Sequence, residues 1–564
     1  MTRPNLFAGL ALAGLCLAAT VTGLGNDYAQ DDLPVIKQNP IVHQLTSPGA
    51  FFSESYWPKP FPPALYRPLA TTGFAVQWQL GGGSPLAFRL ASILMYATAG
   101  FAVFMLARLL LPFGAAWVAA ALFMIHPVHV EAVAVAVNQS EIMVGLLACL
   151  TALCYLRARE GSEFTARHGA TLFALYLAAT LFKESGLVII GLIVAAELTI
   201  VRDNRPLTTR LAAIRPLLLV MLLGATSFFA IRTLALGGDP VGTFTAEALA
   251  GQSMGGRAIT MLAVVPHWFR LLLWPANLQG DYSPREIEQA AAWGIDQTQG
   301  ALLLGLAVAL TILTWKRHPV VAFGLLWTGI GLFPVSNVLV PTGIVLAERT
   351  LFLPSIGMML TIGGLAEPLM ARVKAATPLV RWAAVAGLTA ILVMGTTRSA
   401  SRQRVWKDQI TFWYQTTIDA PFSYRARHAL AQLLFQAGAQ GRAEREYRLA
   451  IALYPTNWGP MVDFADKLRL DGQCAPAVPL YRQALTLSSE QTATRASLIA
   501  CLLDLGHYTE ARSAAREALQ HVTQPRAIGL LQTYIQTADS AQAVGALPGT
   551  VKLPPPPPED SSGS

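Results

Sequence analysis

The chain has 564 residues, 53% of them hydrophobic and only 13% charged, and its 41 Lys and Arg against 33 Asp and Glu leave a formal charge of +8. Mean hydropathy is +0.45. A soluble domain carries about 25% charged residues, so a wholly soluble enzyme and a disordered chain are both excluded, and the cations are expected to mark one side of a bilayer rather than a nucleic-acid footprint.

The first apolar segment, Leu6 to Leu24, follows Arg3. It is long and lacks a clean small-x-small cleavage site, so it reads as a retained span rather than a signal peptide. A long loop follows, 25–85, opening GNDYAQDDLPVIKQNPIVH. Asp31 and Asp32 stand a few residues beyond the span. A carboxylate there suits a general base or a ligand for a divalent cation, Mg or Mn, and neighbouring carboxylates raise each other's pKa when buried. A solvated turn is the plain alternative. Asp27 is a weaker third candidate. The stretch FFSESYWPKPFPPALYRPL then brings Tyr56, Trp57, Tyr66 and Arg67, an interfacial segment in which Arg67 meets a phosphate headgroup or simply starts a span.

Further spans are expected at about 86–107, 113–130, 140–156, 169–182, 186–201 and 212–232. The run FMIHPVHVEAVAVAVNQSE places His126, His129 and Glu131 at the end of the third, with Asn138 and Glu141 beyond. The spacing is not HExxH and Pro127 interrupts it, so a polar cluster lining a cavity is preferred to a metal site. Lys183 and Glu184 close the fifth span, as an ion pair with each other or across spans. The segment 257–275, RAITMLAVVPHWFRLLLWP, holds Pro266, His267 and Arg270 at its middle. An arginine at bilayer depth costs at least ~2.5 kcal/mol, so this segment reads as a re-entrant or interfacial helix. Asn277, Asp281 and Tyr282 follow it. The last spans are expected at about 299–315, 319–336, 350–370 and 380–397. Glu348 and Arg349 stand at the start of the tenth, where Arg349 suits a grip on phosphate oriented by Glu348, or a buried ion pair.

That makes about eleven spans. A cytoplasmic N-terminus puts Arg157, Arg159, Arg167, Arg202, Arg205, Arg210, Arg215, Lys316, Arg317, Arg372, Lys374 and Arg381 inside, and the long loops outside. The basic run Arg398, Arg402, Arg404 and Lys407 runs against that rule and is assigned to a soluble linker. Beyond it, three 34-residue blocks follow without gaps: 424–457, 458–491 and 492–525. Gly438, Gly472 and Gly506 recur in one column, Ala443, Ala477 and Ala511 in a second, and Ala450, Ala484 and Ala518 in a third. A 34-residue period with Gly at the turn and Ala at close helix crossings is the tetratricopeptide signature, and such stacks bind partners. The five Cys residues form no CxxC pair and read as packing residues, with neither disulfide nor metal. The end, 551–564, reads as a disordered Pro-rich tail. No GxGxxG, Walker A, GxSxG or HExxH motif supports nucleotide-driven transport, serine hydrolysis or zinc proteolysis.

With DD at 31–32, YRPL at 66–69, HPVHVEAV at 126–133, KESG at 183–186, FPVSN at 333–337 and AERTLFLPSIG at 347–357, then the repeats, the chain over about 1–545 resembles the TMTC-type transmembrane and tetratricopeptide-repeat proteins. That family is assigned to the GT-C class of glycosyltransferases. The resemblance implies an all-α fold: a polytopic GT-C-like transmembrane helical domain (1–397), a linker and capping helix (398–423), a tetratricopeptide α-solenoid (424–525) and a second capping helix (526–550). It implies a membrane glycosyltransferase that moves a sugar from a polyprenyl-phosphate donor to a hydroxyl acceptor on the non-cytoplasmic face, protein O-mannosylation being the animal members' case. Asp31 or Asp32 would match the acidic motif, and Glu348 with Arg349 the late one. The family's Tyr-Leu pair after Glu-Arg is altered, since Thr350 and Leu351 precede Phe352 and Leu353. Partners expected are membrane lipid, the lipid-linked donor and a protein held by 424–525, in a bacterial plasma membrane with the repeats outside. The alternative is a non-catalytic membrane scaffold that recruits proteins through its repeats; a transporter would need a polar path near the midplane.

Overall fold

The computed structural model describes residues 3–45, 49–59, 61, 65–160, 164–238 and 245–550. The Pro-rich tail expected at 551–564 lies outside them. The described residues are helical and contain no strand. They fall into two compact units, the first taking in the chain to Gln415 and the second the chain from Thr416, with Ser283–Glu286 counted in the second.

The helices that carry the first unit are α1 (Arg3–Thr20), α2 (Pro68–Gly81), α3 (Pro85–Leu110), α4 (Phe113–Met124), α5 (Gln139–Glu160), α6 (Ala166–Phe182), α7 (Ile189–Thr199), α8 (Leu207–Leu236), α9 (Met254–Leu273), α10 (Ile295–Thr314), α11 (Pro319–Leu332), α12 (Phe352–Ala375) and α13 (Pro378–Gln403). Proline or a β-region residue opens many of them. Gly82 and Gly237 close α2 and α8 with φ of 59° and 75°, a left-handed turn that only glycine adopts without strain.

Among the described residues, seven helices are long and apolar enough to cross a bilayer: Pro4–Gly23, Pro85–Leu110, Ala136–Glu160, Thr208–Leu236, Ile295–Thr314, Glu348–Ala375 and Pro378–Trp406. The pair Phe113–Met124 and Pro127–Ala134, bent by 47°, makes an eighth if it is one broken span rather than a re-entrant loop. The first unit is therefore a multi-spanning membrane helical domain. The count differs from the eleven expected because three expected segments form shorter helices. Ala166–Phe182 has 17 residues, Pro319–Leu332 has 14, and 186–201 divides between a 3-10 turn and the 11-residue α7. The expected re-entrant segment is part of one continuous helix, α9, which carries Pro266 inside it. Its Thr260, Met261, Val264, Val265, Trp268 and Leu271 are buried, an amphipathic face rather than an all-round apolar one.

Helix α13 continues past the expected boundary at 397. It runs through Arg398 to Gln403, and Arg402, Gln403 and Trp406 are buried in the first unit. Thr22 Oγ1 donates to Ala400 O at 2.5 Å, and Asn26 Nδ2 donates to Gln403 O at 2.8 Å. Trp406 stacks on Phe412 at 4.3 Å between ring centres. By contrast, no residue of the apolar window of this helix is buried. Helices α11 and α12 cross closely. A Cβ on Gly357 would come within 2.5 Å of Gly324 O and 2.6 Å of Thr328 N.

The second unit is helical throughout its described residues, consistent with a solenoid. Its helices are α14 (Tyr424–Gln436), α15 (Gln440–Leu453), α16 (Gly459–Leu470), α17 (Cys474–Leu487), α18 (Thr492–Asp504), α19 (Tyr508–Leu519) and α20 (Pro525–Ala543). Gly438, Gly472 and Gly506 have φ of 76°, 73° and 77°, so the recurring column is one recurring left-handed turn. Ala443, Ala477, Ala511, Ala450, Ala484 and Ala518 are all buried. Asp463 receives hydrogen bonds from Tyr447 (2.7 Å) and Gln432 (2.9 Å) and pairs with His428 (3.0 Å). Burial pushes that carboxyl up, but His428, Tyr447 and Gln432 outweigh it and hold it at about 2. The expectation of no disulfide is corrected here. Cys474 and Cys501 are bonded, with Cα atoms 5.0 Å apart, because α17 and α18 pack side by side. Cys16, Cys149 and Cys154 are free, as expected of packing residues.

Candidate functional site

The loop after α1 is built around a tight turn. Gln30 takes φ of 49°, Asp32 N donates to Ala29 O and Leu33 N to Gln30 O, both at 3.1 Å, and a π-helical turn, Leu33–Lys37, follows. This turn points the two adjacent carboxylates into different surroundings. Asp32 is fully buried. Its Oδ2 pairs with Arg89 Nη2 at 3.0 Å and its Oδ1 accepts from Val137 N at 3.0 Å. Arg89 Nη2 also donates to Asp27 O at 2.8 Å. Asp32 is thus a clasp between the loop, α3 and the chain leading into α5.

Asp31 is partly exposed, and among the described residues its carboxylate has no direct hydrogen-bond partner. It still feels a crowd of charges. Loss of hydration raises its pKa above the usual carboxylate range; Arg349 and Arg67 oppose that shift, while Asp32 and Glu131 add to it.

Around it stand further ion pairs. Buried Glu131 receives the main-chain N–H of Arg349 at 2.8 Å and pairs with that residue's Nη1. Lys183 pairs with Glu141. Arg67 grips Glu184 in a fork, Nε to Oε2 at 3.0 Å and Nη2 to Oε1 at 2.5 Å, and lies over the Tyr56 ring at 5.0 Å. Burial alone would raise the Glu184 carboxyl, but the Arg67 charge and hydrogen bonds hold it at about 2. Lys183 and Glu184, neighbours in sequence, therefore each choose a partner on another element. Asp32, Glu131, Glu141 and Glu184 each have a cation; among the described residues of this group, Asp31 has none in contact.

The other sequence candidates are spread around this cluster. His129 is held by Tyr96 Oη at 2.9 Å and Ser355 Oγ at 2.8 Å, and His126 by Leu272 O at 3.1 Å and Val128 N at 3.3 Å. Both rings are engaged at both nitrogens. Glu348 is buried, accepting from Gln279 N at 2.6 Å and Tyr282 Oη at 3.1 Å, so it fastens the loop after α9 rather than orienting Arg349; Glu131 does that. Arg270 Nη1 donates to Asn277 O at 2.8 Å, and Asp281 lies partly covered in the same loop. Among the described residues no three His, Cys, Asp or Glu side chains converge as a protein-built metal shell requires. A divalent cation would find Asp31 as the uncommitted carboxylate.

Arg89 is the residue sequence reasoning missed. The signal was present: an arginine a few residues inside an apolar span is expensive unless it is paired.

No family model matches the chain. Several curated proteins are similar to it across most of its length. A Protein O-mannosyl-transferase, F38B6.6 of Caenorhabditis elegans, is 24% identical over 458 residues, 79% of this chain and 63% of that protein. The human Protein O-mannosyl-transferase TMTC4 is 25% identical over 504 residues, 79% of this chain and 66% of that protein. The chain thus spans just under two thirds of the length of these relatives. Among solved structures, the Archaeoglobus fulgidus oligosaccharyltransferase overlays on 71% of this chain and 55% of its own with a TM-score of 0.40 and 12% identity. By sequence, the chain is similar to the TMTC-type polytopic membrane proteins.

Proposed function

We propose that the chain is a membrane glycosyltransferase of the GT-C kind, moving a sugar from a polyprenyl-phosphate donor to a hydroxyl acceptor, with Asp31 as the base. The names of the relatives add protein O-mannosylation as the specific reading. One observation carries the proposal: in a cluster of paired carboxylates, Asp31 alone is uncommitted, partly open and electrostatically coupled to Arg349 and Arg67.

The chemistry follows from that placement. The acceptor hydroxyl gives its proton to Asp31 as its oxygen attacks the anomeric carbon, and the bond from that carbon to the phosphate oxygen breaks. A phosphate leaves without a general acid, and a single displacement inverts the centre. Arg349 spends Nη1 on Glu131, which leaves Nε and Nη2 to meet the departing charge. Glu131 holds that guanidinium in place. Asp32 is then a positioning residue, not the base.

The second unit is read as a tetratricopeptide stack, supported by the 34-residue recurrence of left-handed glycines, and it would hold a protein acceptor near the membrane. The Cys474–Cys501 bond supports an oxidising, non-cytoplasmic compartment for that unit. The ion-pair network also favours a second reading, a non-catalytic scaffold, because its four pairs serve stability whether or not transfer occurs.

The test is reconstitution of the full chain in vesicles with labelled polyprenyl-phosphate sugars and hydroxyl-bearing peptides. Transfer that is present in the natural chain and abolished in Asp31→Asn, with the variant still folded, supports the enzyme. Absence of transfer from every donor, alongside retained peptide capture, supports the scaffold.

A further inference from the structure

Helices α6 and α8 meet closely toward the Phe182 end of α6, where a Cβ on Gly224 would come within 2.9 Å of the Tyr176 ring. Toward the start of α6 they splay apart. A crevice of about 490 Å³ opens between them, lined by Ala166, Gly169, Ala170 and Phe173 on one side and by Pro216 and Val220 on the other. The small side chains of α6 leave the space, and a Cβ added at Gly169 would meet nothing within 4 Å beyond its own stretch of helix backbone. Its walls are apolar, and its size falls in the range of roughly 300–1,000 Å³ in which proteins hold small ligands. An aliphatic chain suits such walls.

The same end of these helices is basic. Arg157, Arg167, Arg202 and Arg215 are exposed, and among the described residues none of them pairs with a carboxylate. Nearby carboxylates are already engaged. Buried Glu197 takes Tyr155, Arg159 (2.9 Å) and Arg210 (3.2 Å), and Asp203 takes Arg159 (3.0 Å) and Arg205 (2.7 Å). Glu160 is the exposed carboxylate among the described residues of this end. Arg167 adjoins Ala166, and Arg215 adjoins Pro216, so two uncommitted cations border an apolar slot. Basic pockets between membrane helices collect anionic headgroups, each such cation contributing about 1 kcal/mol near the surface.

We propose that this crevice binds an anionic diacyl phospholipid of the surrounding bilayer, one acyl chain lying between α6 and α8 and the headgroup phosphate meeting Arg167 and Arg215. The site lies at the opposite end of α6 from Lys183 and does not depend on the transfer chemistry proposed above.

The full chain is purified in detergent, and retained lipid is measured by native mass spectrometry with phosphatidylglycerol or phosphatidylcholine as probe. Phosphatidylglycerol is expected to bind about thirtyfold more tightly, the worth of two surface cations. The double variant R167Q/R215Q, both positions exposed, is expected to bring it down to the phosphatidylcholine level, and A170F to weaken both lipids by filling the slot. Equal retention of the two lipids by the natural chain overturns the proposal, as does unchanged retention in A170F. Displacement of the phospholipid by polyprenyl phosphate at equal concentration also overturns it, because the crevice would then be a donor site.

Discussion

Two neighbouring carboxylates have opposite fates, and single substitutions separate them. Asp32 and Arg89 are 0% and 2% exposed, and Arg89 Nε and Nη1 have no other partner among the described residues. Asp32→Asn strands a buried cation, so chemical denaturation of the first unit is expected to show a loss of about 3–5 kcal/mol. Asp31→Asn should do the reverse. A carboxyl whose folded-state pKa is raised favours the fold at acid pH, and that contribution fades as pH rises from the ordinary 3.8 through the folded value. Removing the charge therefore leaves thermal stability at pH 7 equal or higher, while transfer is abolished. A base must be ionised, so the acid limb of a kcat-pH profile is expected to lie above the usual carboxylate range. The sequence showed that an acidic pair sits just past the first span. It did not show which member is free, because that depends on contacts with Arg89 and Val137, 57 and 105 residues away.

At the scale of elements, periodicity was the most readable signal. Glycine recurring every 34 residues announced three similar turns, since only a left-handed turn requires that residue, and the φ values agree. Membrane segments were readable as apolar runs, but their ends and continuity were not. Helix α13 carries arginines at its far end, and arginine in a sequence signals departure from the bilayer even where, as with Arg402, it is buried against protein. The Cys474–Cys501 bond joins residues 27 apart whose pairing only the packing of α17 on α18 reveals. Cys474→Ser is expected to cost about 3 kcal/mol in the second unit, read by denaturation with and without reductant. In cells, alkylation before lysis should find both thiols blocked; free thiols would place this unit in a reducing compartment. Where α11 crosses α12, Gly357→Leu has no room beside Gly324 O and Thr328 N, so folded, detergent-stable protein should be largely lost.

For the whole molecule, composition alone established a membrane protein, and the described helices agree. Sidedness rests on the distribution of Lys and Arg, a rule about insertion rather than about the folded chain. Impermeant thiol labelling of single cysteines placed at Lys37 and at Glu444 is expected to modify both from the same face of sealed vesicles. Labelling from opposite faces would separate the acidic loop from the repeats and end the idea that they serve one acceptor. The shape of the acidic cluster was the least readable feature, since its members come from seven separate stretches between residues 31 and 349.

The hydrogen bonds from Thr22 and Asn26 to Ala400 and Gln403, and from Asp27 N to Lys407 O at 2.8 Å, make the opening and closing helices of the first unit neighbours. A ribosome makes these partners nearly four hundred residues apart in time. The loop bearing Asp31 is therefore translated well before the helix end that seats it. A nascent chain halted before Ala400 should expose that loop to protease, and a quality-control system that samples it would learn whether translation of the whole domain had finished.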